Sequence, residues 1–132
     1  MVEVTRGVVT LALAALFLAM GVSHFVPTMA RTMAAMIPSS FRRGGLLTPL
    51  NLVYVTGVCE LAGGVGLLTP LRPVAAIALI VFLVAVFPAN VYAAQHPERF
   101  GRAAIPFWPR LAGQLVLIVL LTFAALGTVG AP

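Results

Sequence analysis

Four long apolar segments dominate the pattern of this chain, at residues 8–26, 50–68, 73–94 and 107–127. Each is about 19 to 22 residues long, which as a helix is enough to cross the hydrocarbon core of a bilayer. Together they account for most of the chain, so no room is left for a soluble module. The pattern therefore predicts an all-α fold, an integral membrane four-helix bundle in which residues 1–132 form one transmembrane domain.

The connection between the first two segments has its own pattern. Met29, Met33 and Met36 recur at i, i+4 and i+7, which is the spacing of one face of a helix. We expect residues 28–40 to form an amphipathic interfacial helix whose methionine face rests on lipid or on helix ends. A soft-metal site is the alternative for a methionine stripe, but no cysteine or histidine is interleaved with it. A turn at 42–45 then reverses the chain.

Composition agrees with a membrane protein, because 61% of the residues are hydrophobic and 8% are charged. The positive charge is all arginine and avoids the centres of the apolar segments, so nucleic-acid binding is not expected. By the positive-inside rule, we expect the two longer connections in the cytoplasm and both termini outside, in a bacterial inner membrane. Six arginines lie in or beside those connections and two lie on the opposite side: Arg31, Arg42, Arg43, Arg99, Arg102 and Arg110, against Arg6 and Arg72.

Glu60 lies in the middle of the second apolar segment. A carboxylate at that depth opposes insertion by roughly 2 to 3 kcal/mol, and such residues are usually functional. Thr56, Gly57, Gly63 and Gly64 fall on the same helical face, and small residues allow neighbouring helices to approach closely. Glu60 is therefore predicted to face the interior of the bundle, and its protonation state stays open.

Each of the other segments brings a polar group to the same half of the membrane. At 1.5 Å per residue, Tyr54 lies about 6 Å, Gln114 about 10 Å and Glu60 about 15 Å from the side of the longer connections, with His24 and Asn90 near that side. These five residues are predicted to line a polar cleft that binds a ligand. Asn90 and Gln114 also suit hydrogen bonds between helices, His24 suits a helix cap, and Arg110 is a further candidate partner of Glu60.

The cysteine content limits the redox reactions that the protein could carry out. Cys59 is the only cysteine, so an intramolecular disulfide and a paired-cysteine redox relay are excluded. A lone cysteine in such a segment usually acts as a small buried apolar residue. We expect no metal site and no resident cofactor, and the ligands considered are a quinone or a lipid.

Four blocks of sequence are familiar: G-V-S-H-F at 21–25, M-I-P at 36–38, Y-V-T-G-V-C-E-L-A-G-G at 54–64 and V-F-P-A-N-V-Y at 86–92. In this order they resemble the DoxX-like family of small four-helix membrane proteins. Some relatives are membrane subunits of quinone-linked sulfur oxidoreductases or partners in redox-defence complexes, and others are assembly factors. The resemblance implies a shared polar site at His24, Glu60, Pro88 and Asn90. It implies at most a subunit of a quinone-linked oxidoreductase, since no cofactor motif or second cysteine accompanies these residues.

Three functional hypotheses follow. The first is an accessory or ligand-binding subunit whose pocket at Glu60, His24 and Asn90 holds a quinone, a lipid head group or a partner membrane or redox protein. The second is a small proton-coupled transporter that uses Glu60. The third is a purely structural membrane assembly factor, in which Glu60 only fixes packing. Besides membrane lipid, a second copy of the chain is an expected partner, through small residues such as Ala62 and Gly66.

Overall fold

The computed structural model describes residues 1–38, 48–101 and 104–127, which form six α-helices and no strand. Within this part of the chain, four helices are long and apolar enough to span a membrane. The predicted all-α helical bundle is therefore confirmed, and the chain is an integral membrane protein. The helices are α1 Val2–Ser23, α2 Pro27–Ala35, α3 Pro49–Leu67, α4 Arg72–Gln95, α5 Pro97–Phe100 and α6 Phe107–Ala125.

The four long helices form a closed ring. Helix α1 packs against α3, α3 against α4, α4 against α6, and α6 against α1. The short helix α2 packs on α3. Because consecutive long helices are antiparallel, one end of the ring holds the ends of α1 and α4 and the starts of α3 and α6.

Helix α1 begins at Val2, earlier than the predicted start at residue 8. The reason is an ion pair between Glu3 and Arg6, which stand three residues apart on the helix. The side chain of Arg6 is buried, and its Nε donates a hydrogen bond to the carbonyl oxygen of Phe123 at 2.9 Å. That carbonyl belongs to the last turn of α6, where no later residue of the helix can supply a donor. Arg6 therefore ties α1 to the end of α6.

The shorter helices depart from the expected boundaries. Helix α2 is present but ends at Ala35, and the predicted turn at 42–45, with Arg42 and Arg43, lies outside the described residues, as does Arg102. After α4 the structure has the single helical turn α5. Pro97 occupies its first position with a suitable fixed φ, and the carbonyl of His96 accepts from the amide of Arg99 at 3.0 Å.

One half of the bundle is tightly packed. Leu67, Leu79 and Leu121 are among its fully buried side chains, and they meet between α3, α4 and α6. Glycines on α3 make this contact close: a Cβ on Gly64 would lie 2.9 Å from Leu18 of α1, and one on Gly66 would lie 2.8 Å from the Cβ of Ala75. The small-residue face of α3 is thus used inside the bundle. Gly66, which was expected at a dimer interface, packs against α4 of the same chain.

Candidate functional site: the central cavity

The other half of the bundle is hollow. A cavity of about 970 Å³, here called the central cavity, lies between the end of α1, helix α2, the first half of α3, the second half of α4 and the first half of α6. Its volume is at the upper end of the range typical of small-molecule sites. It lies toward the end of the ring that holds the two longer connections, which is where the sequence placed the polar cleft.

Glu60 lines this cavity and is only 6% exposed. Its Oε2 atom is fully buried, and no hydrogen-bond partner is found for it within the described part of the chain. A buried carboxylate oxygen without a donor is costly, because the solvation lost on burial is not replaced. Oε2 of Glu60 is therefore an acceptor for which the described residues provide no donor.

His24 is the ionisable neighbour of Glu60. Its Nδ1 atom lies 3.5 Å from Oε2 of Glu60, which is too long for a good hydrogen bond, and 2.7 Å from the carbonyl oxygen of Met20. A carbonyl can only accept, so Nδ1 must carry the hydrogen in that contact. In the neutral ring Nε2 is then an acceptor. The ring lines the cavity and is 8% exposed, so acidic and basic groups stand side by side at its wall.

Gly57 allows this juxtaposition. A Cβ atom built on Gly57 would lie 2.7 Å from the Cβ of His24 and 2.8 Å from the ring of Phe25. Any larger residue would therefore displace His24 from α3. Since Gly57 is one turn before Glu60, the close approach of α1 at this point brings the two ionisable side chains together.

Asn90 and Gln114 also line the cavity, together with Arg110. Nη1 of Arg110 on α6 donates to Oδ1 of Asn90 on α4 at 2.8 Å. Asn90 thus forms the hydrogen bond between helices that was one of its two expected roles, while its amide nitrogen remains a potential donor to a ligand. Arg110 turns inward as expected, but the contact found for it is Asn90.

Tyr54 is the predicted site residue that the structure places elsewhere. Its ring stacks on Phe25, with centroids 5.6 Å apart and the planes 3° from parallel, and it is not among the residues that line the central cavity. The cause is its position on α3, where Val53, Thr56 and Glu60 form the cavity-facing stripe and Tyr54 falls to one side. The polar cleft therefore contains His24, Glu60, Asn90 and Gln114.

The methionine face of α2 covers the cavity. Met29, Met33 and Met36 all line it, together with Thr28 and Thr32 on the same helix. The sequence predicted that this apolar face rests on lipid or on helix ends. In the structure it lies over the central cavity. Methionine is flexible and adapts to ligands of varied shape.

Other chemistry is limited. Within the described residues, no three side chains of His, Cys, Asp or Glu come together in a way that could hold a metal ion. Cys59, next in sequence to Glu60, is exposed on the outside of α3 and so was wrongly expected to be buried. The site can accept, donate and relay hydrogen bonds, and the hydroxyl groups of Ser23 and Thr56 also line it.

Comparison with known proteins gives a family without an assigned activity. No curated protein and no solved structure matches the chain. Residues 13–125 match a family described as "Domain of unknown function (DUF8561)", and this range includes the second half of α1, the whole of α3, α4 and α6, and every residue of the polar cleft. Since the match extends over most of the chain, the protein belongs to the DUF8561 family.

Proposed function

We propose that the protein is an accessory membrane subunit that binds a small amphipathic molecule in the central cavity, with the polar head group against Glu60 and His24. The observation that carries this proposal is the buried carboxyl group of Glu60: its side chain lines a cavity of about 970 Å³, and its Oε2 has no hydrogen-bond partner among the described residues. A ligand hydroxyl there would supply the missing hydrogen bond. Hydrogen bonds to charged groups contribute about 1.5–3 kcal/mol.

The lining of the cavity supports an amphipathic ligand. Its polar groups, such as Glu60, His24 and Asn90, are accompanied by many apolar ones on α2, α4 and α6. A few polar groups that fix orientation within a mainly apolar wall are typical of small-molecule sites. A lipid with a hydroxylated head group has the required donor, and a quinone has it in its reduced form, the quinol. The resemblance to DoxX-like proteins, some of which are linked to quinones, favours the quinone.

Binding can be tested by native mass spectrometry of the protein purified in a mild detergent. The wild type should retain a bound small molecule, or take up added phosphatidylglycerol or decylbenzoquinone kept reduced to its quinol, and the preferred probe distinguishes a quinol from a lipid. In Glu60→Gln one carboxyl oxygen is replaced by an amide nitrogen, which cannot accept a hydrogen bond, while the shape is kept, so we expect affinity to fall about tenfold, which corresponds to about 1.4 kcal/mol. Glu98→Gln, which changes an exposed carboxylate of α5, is the matched control. Equal binding by all three proteins, or by none, would overturn the proposal.

We also propose that the central cavity opens toward the cytoplasmic side, because the arginine-rich connections lie at its end of the bundle. Orientation is measured with a membrane-impermeant maleimide. In a Cys59→Ser background, a cysteine introduced as Glu98→Cys on α5 should react only after the cells are opened. Labelling of intact cells at position 98 would reverse the orientation.

A further inference from the structure

A second hollow lies on the other side of α4. This outer groove, of about 480 Å³, is lined by Val84, Phe87 and Val91 on one stripe of α4, with polar Tyr92 and Gln95 at its end. At 1.5 Å per residue, the stripe from Val84 to Gln95 is about 16 Å long. Val84 itself is 57% exposed on the surface of the bundle, so the groove is accessible from the hydrocarbon phase.

The outer groove and the central cavity share part of their walls. Pro38, Pro88 and Gln114 line both. Pro88 has no amide hydrogen to donate to the carbonyl of Val84, so α4 lacks one of its hydrogen bonds at this point. The two hollows are therefore neighbours on either side of one weakened turn of α4, with Gln114 of α6 at the boundary.

We infer that the outer groove holds the hydrocarbon chain of the amphipathic molecule whose head group occupies the central cavity. This inference rests on the proposed function and adds the ligand class: a membrane-dissolved molecule with one long chain, which enters sideways between α4 and α6 and leaves its chain outside. The shared wall at Pro88 and Gln114 supplies the passage. The apolar stripe at Val84, Phe87 and Val91 supplies a surface that leads from the passage toward the middle of the bilayer.

The position of the ligand's hydrocarbon chain has a measurable consequence. A ligand enclosed in the central cavity would be limited in length, whereas a chain that leaves through the passage is not. Benzoquinones with a methyl, a decyl or an eicosyl substituent, all kept reduced to their quinols, should therefore bind with similar affinity when their concentrations in the membrane are equal. Filling the groove with Val91→Trp should lower the affinity for the decyl and eicosyl compounds about tenfold and leave the affinity for the methyl compound unchanged.

Val81→Trp is the matched control, because Val81 is also exposed on α4 but lines neither hollow. Photolabelling with decylbenzoquinones that carry a diazirine gives a second readout. A diazirine beside the ring should label the α2 or Glu60 peptides, and one at the chain end should label the peptide from Val84 to Val91, with both labels removed by excess unlabelled compound.

The results separate the two levels of the proposal. If the ring-side probe labels the cavity but Val91→Trp acts like Val81→Trp, or the chain end labels α2, the groove does not hold the chain and the inference is wrong. If neither the methyl compound nor the ring-side probe binds at Glu60, the proposed function itself fails. If Val91→Trp weakens the binding of the long-chain compounds alone and the chain-end probe labels α4, both the proposed function and the inference about the groove are supported.

Discussion

Nδ1 of His24 lies 3.5 Å from Oε2 of Glu60, while its hydrogen bond goes to the carbonyl of Met20 at 2.7 Å. The two most conspicuous polar residues of the bundle are thus neighbours that do not satisfy each other. A pair that served packing alone would be expected to close this distance, because a buried charge is stabilised by direct hydrogen bonds. At this separation His24 does not satisfy Oε2, which is why we propose that a ligand does.

Glu60→Gln should have little effect on the stability of the ligand-free protein. Glutamine keeps the size of the side chain, and no hydrogen bond to Oε2 is lost within the described residues, so we expect the free energy of unfolding to change by less than about 1 kcal/mol. Unfolding in mixed micelles after removal of bound lipid measures this. Leu79→Ala, which truncates a fully buried core residue, should lose about 2–5 kcal/mol in the same assay. A loss of about 3–5 kcal/mol for Glu60→Gln would instead indicate a structural pair.

Gly57→Ala should displace His24 from Glu60. The added methyl group would meet the Cβ of His24 at 2.7 Å, so we expect a cost of about 1–3 kcal/mol from overpacking together with weaker ligand binding. Gly7→Ala is the control, because nothing lies within 4 Å of a Cβ at that position of α1. It should be neutral or stabilising by up to about 1 kcal/mol, through helix propensity. Similar behaviour of the two variants would mean that α1 does not approach α3 as described.

Asn90 and Arg110 should be energetically coupled. Their 2.8 Å hydrogen bond joins α4 to α6, and such bonds between membrane helices contribute about 0.6–1.7 kcal/mol. A double-mutant cycle with Asn90→Ala, Arg110→Ala and the double variant isolates this coupling from the other contacts of each residue. An interaction energy within error of zero would show that the two side chains do not meet in the membrane.

Arg6 should stabilise the packed half of the bundle. Its Nε donates to the carbonyl of Phe123, and its guanidinium lies 4.6 Å from the centre of the Phe123 ring. Arg6→Gln should therefore destabilise the protein by about 1.5–3 kcal/mol, the usual value for a charge-assisted hydrogen bond. Arg31→Gln, at an exposed position of α2, should stay within about 0.5 kcal/mol. If Arg6→Gln destabilises the protein no more than Arg31→Gln does, Arg6 serves only as a topology signal.

The membrane spans and most of the site residues could be predicted from the sequence, because both depend on helical periodicity. Glu60, His24 and Gln114 could be placed in one half of the membrane from helix geometry alone, and the structure brings them to one cavity. Tyr54 could not be sorted from them, since a shift of one position on α3 turns a side chain by about 100°. Arg6 was missed as a structural residue for another reason. Its partner is Phe123, at the far end of the chain, and no local pattern reveals such a contact.

That α2 covers the central cavity could not be predicted from the sequence either. The methionine spacing predicted an apolar face, but whether that face meets lipid or a hollow depends on how α2 folds back over α3. The hollow itself arises because the glycines of α3 that allow close packing are concentrated in its second half, where Gly63, Gly64 and Gly66 lie. Before Glu60, larger residues such as Leu52 and Val53 hold the helices apart, and they line the cavity.

The most direct test of a ligand site at Glu60 is a cryo-EM or crystallographic density map of the protein in lipid nanodiscs or lipidic phase. We expect non-protein density in the central cavity, with a polar atom about 3 Å from Oε2 of Glu60. A cavity filled by the protein's own side chains, with Oε2 hydrogen-bonded to a protein donor, would contradict it.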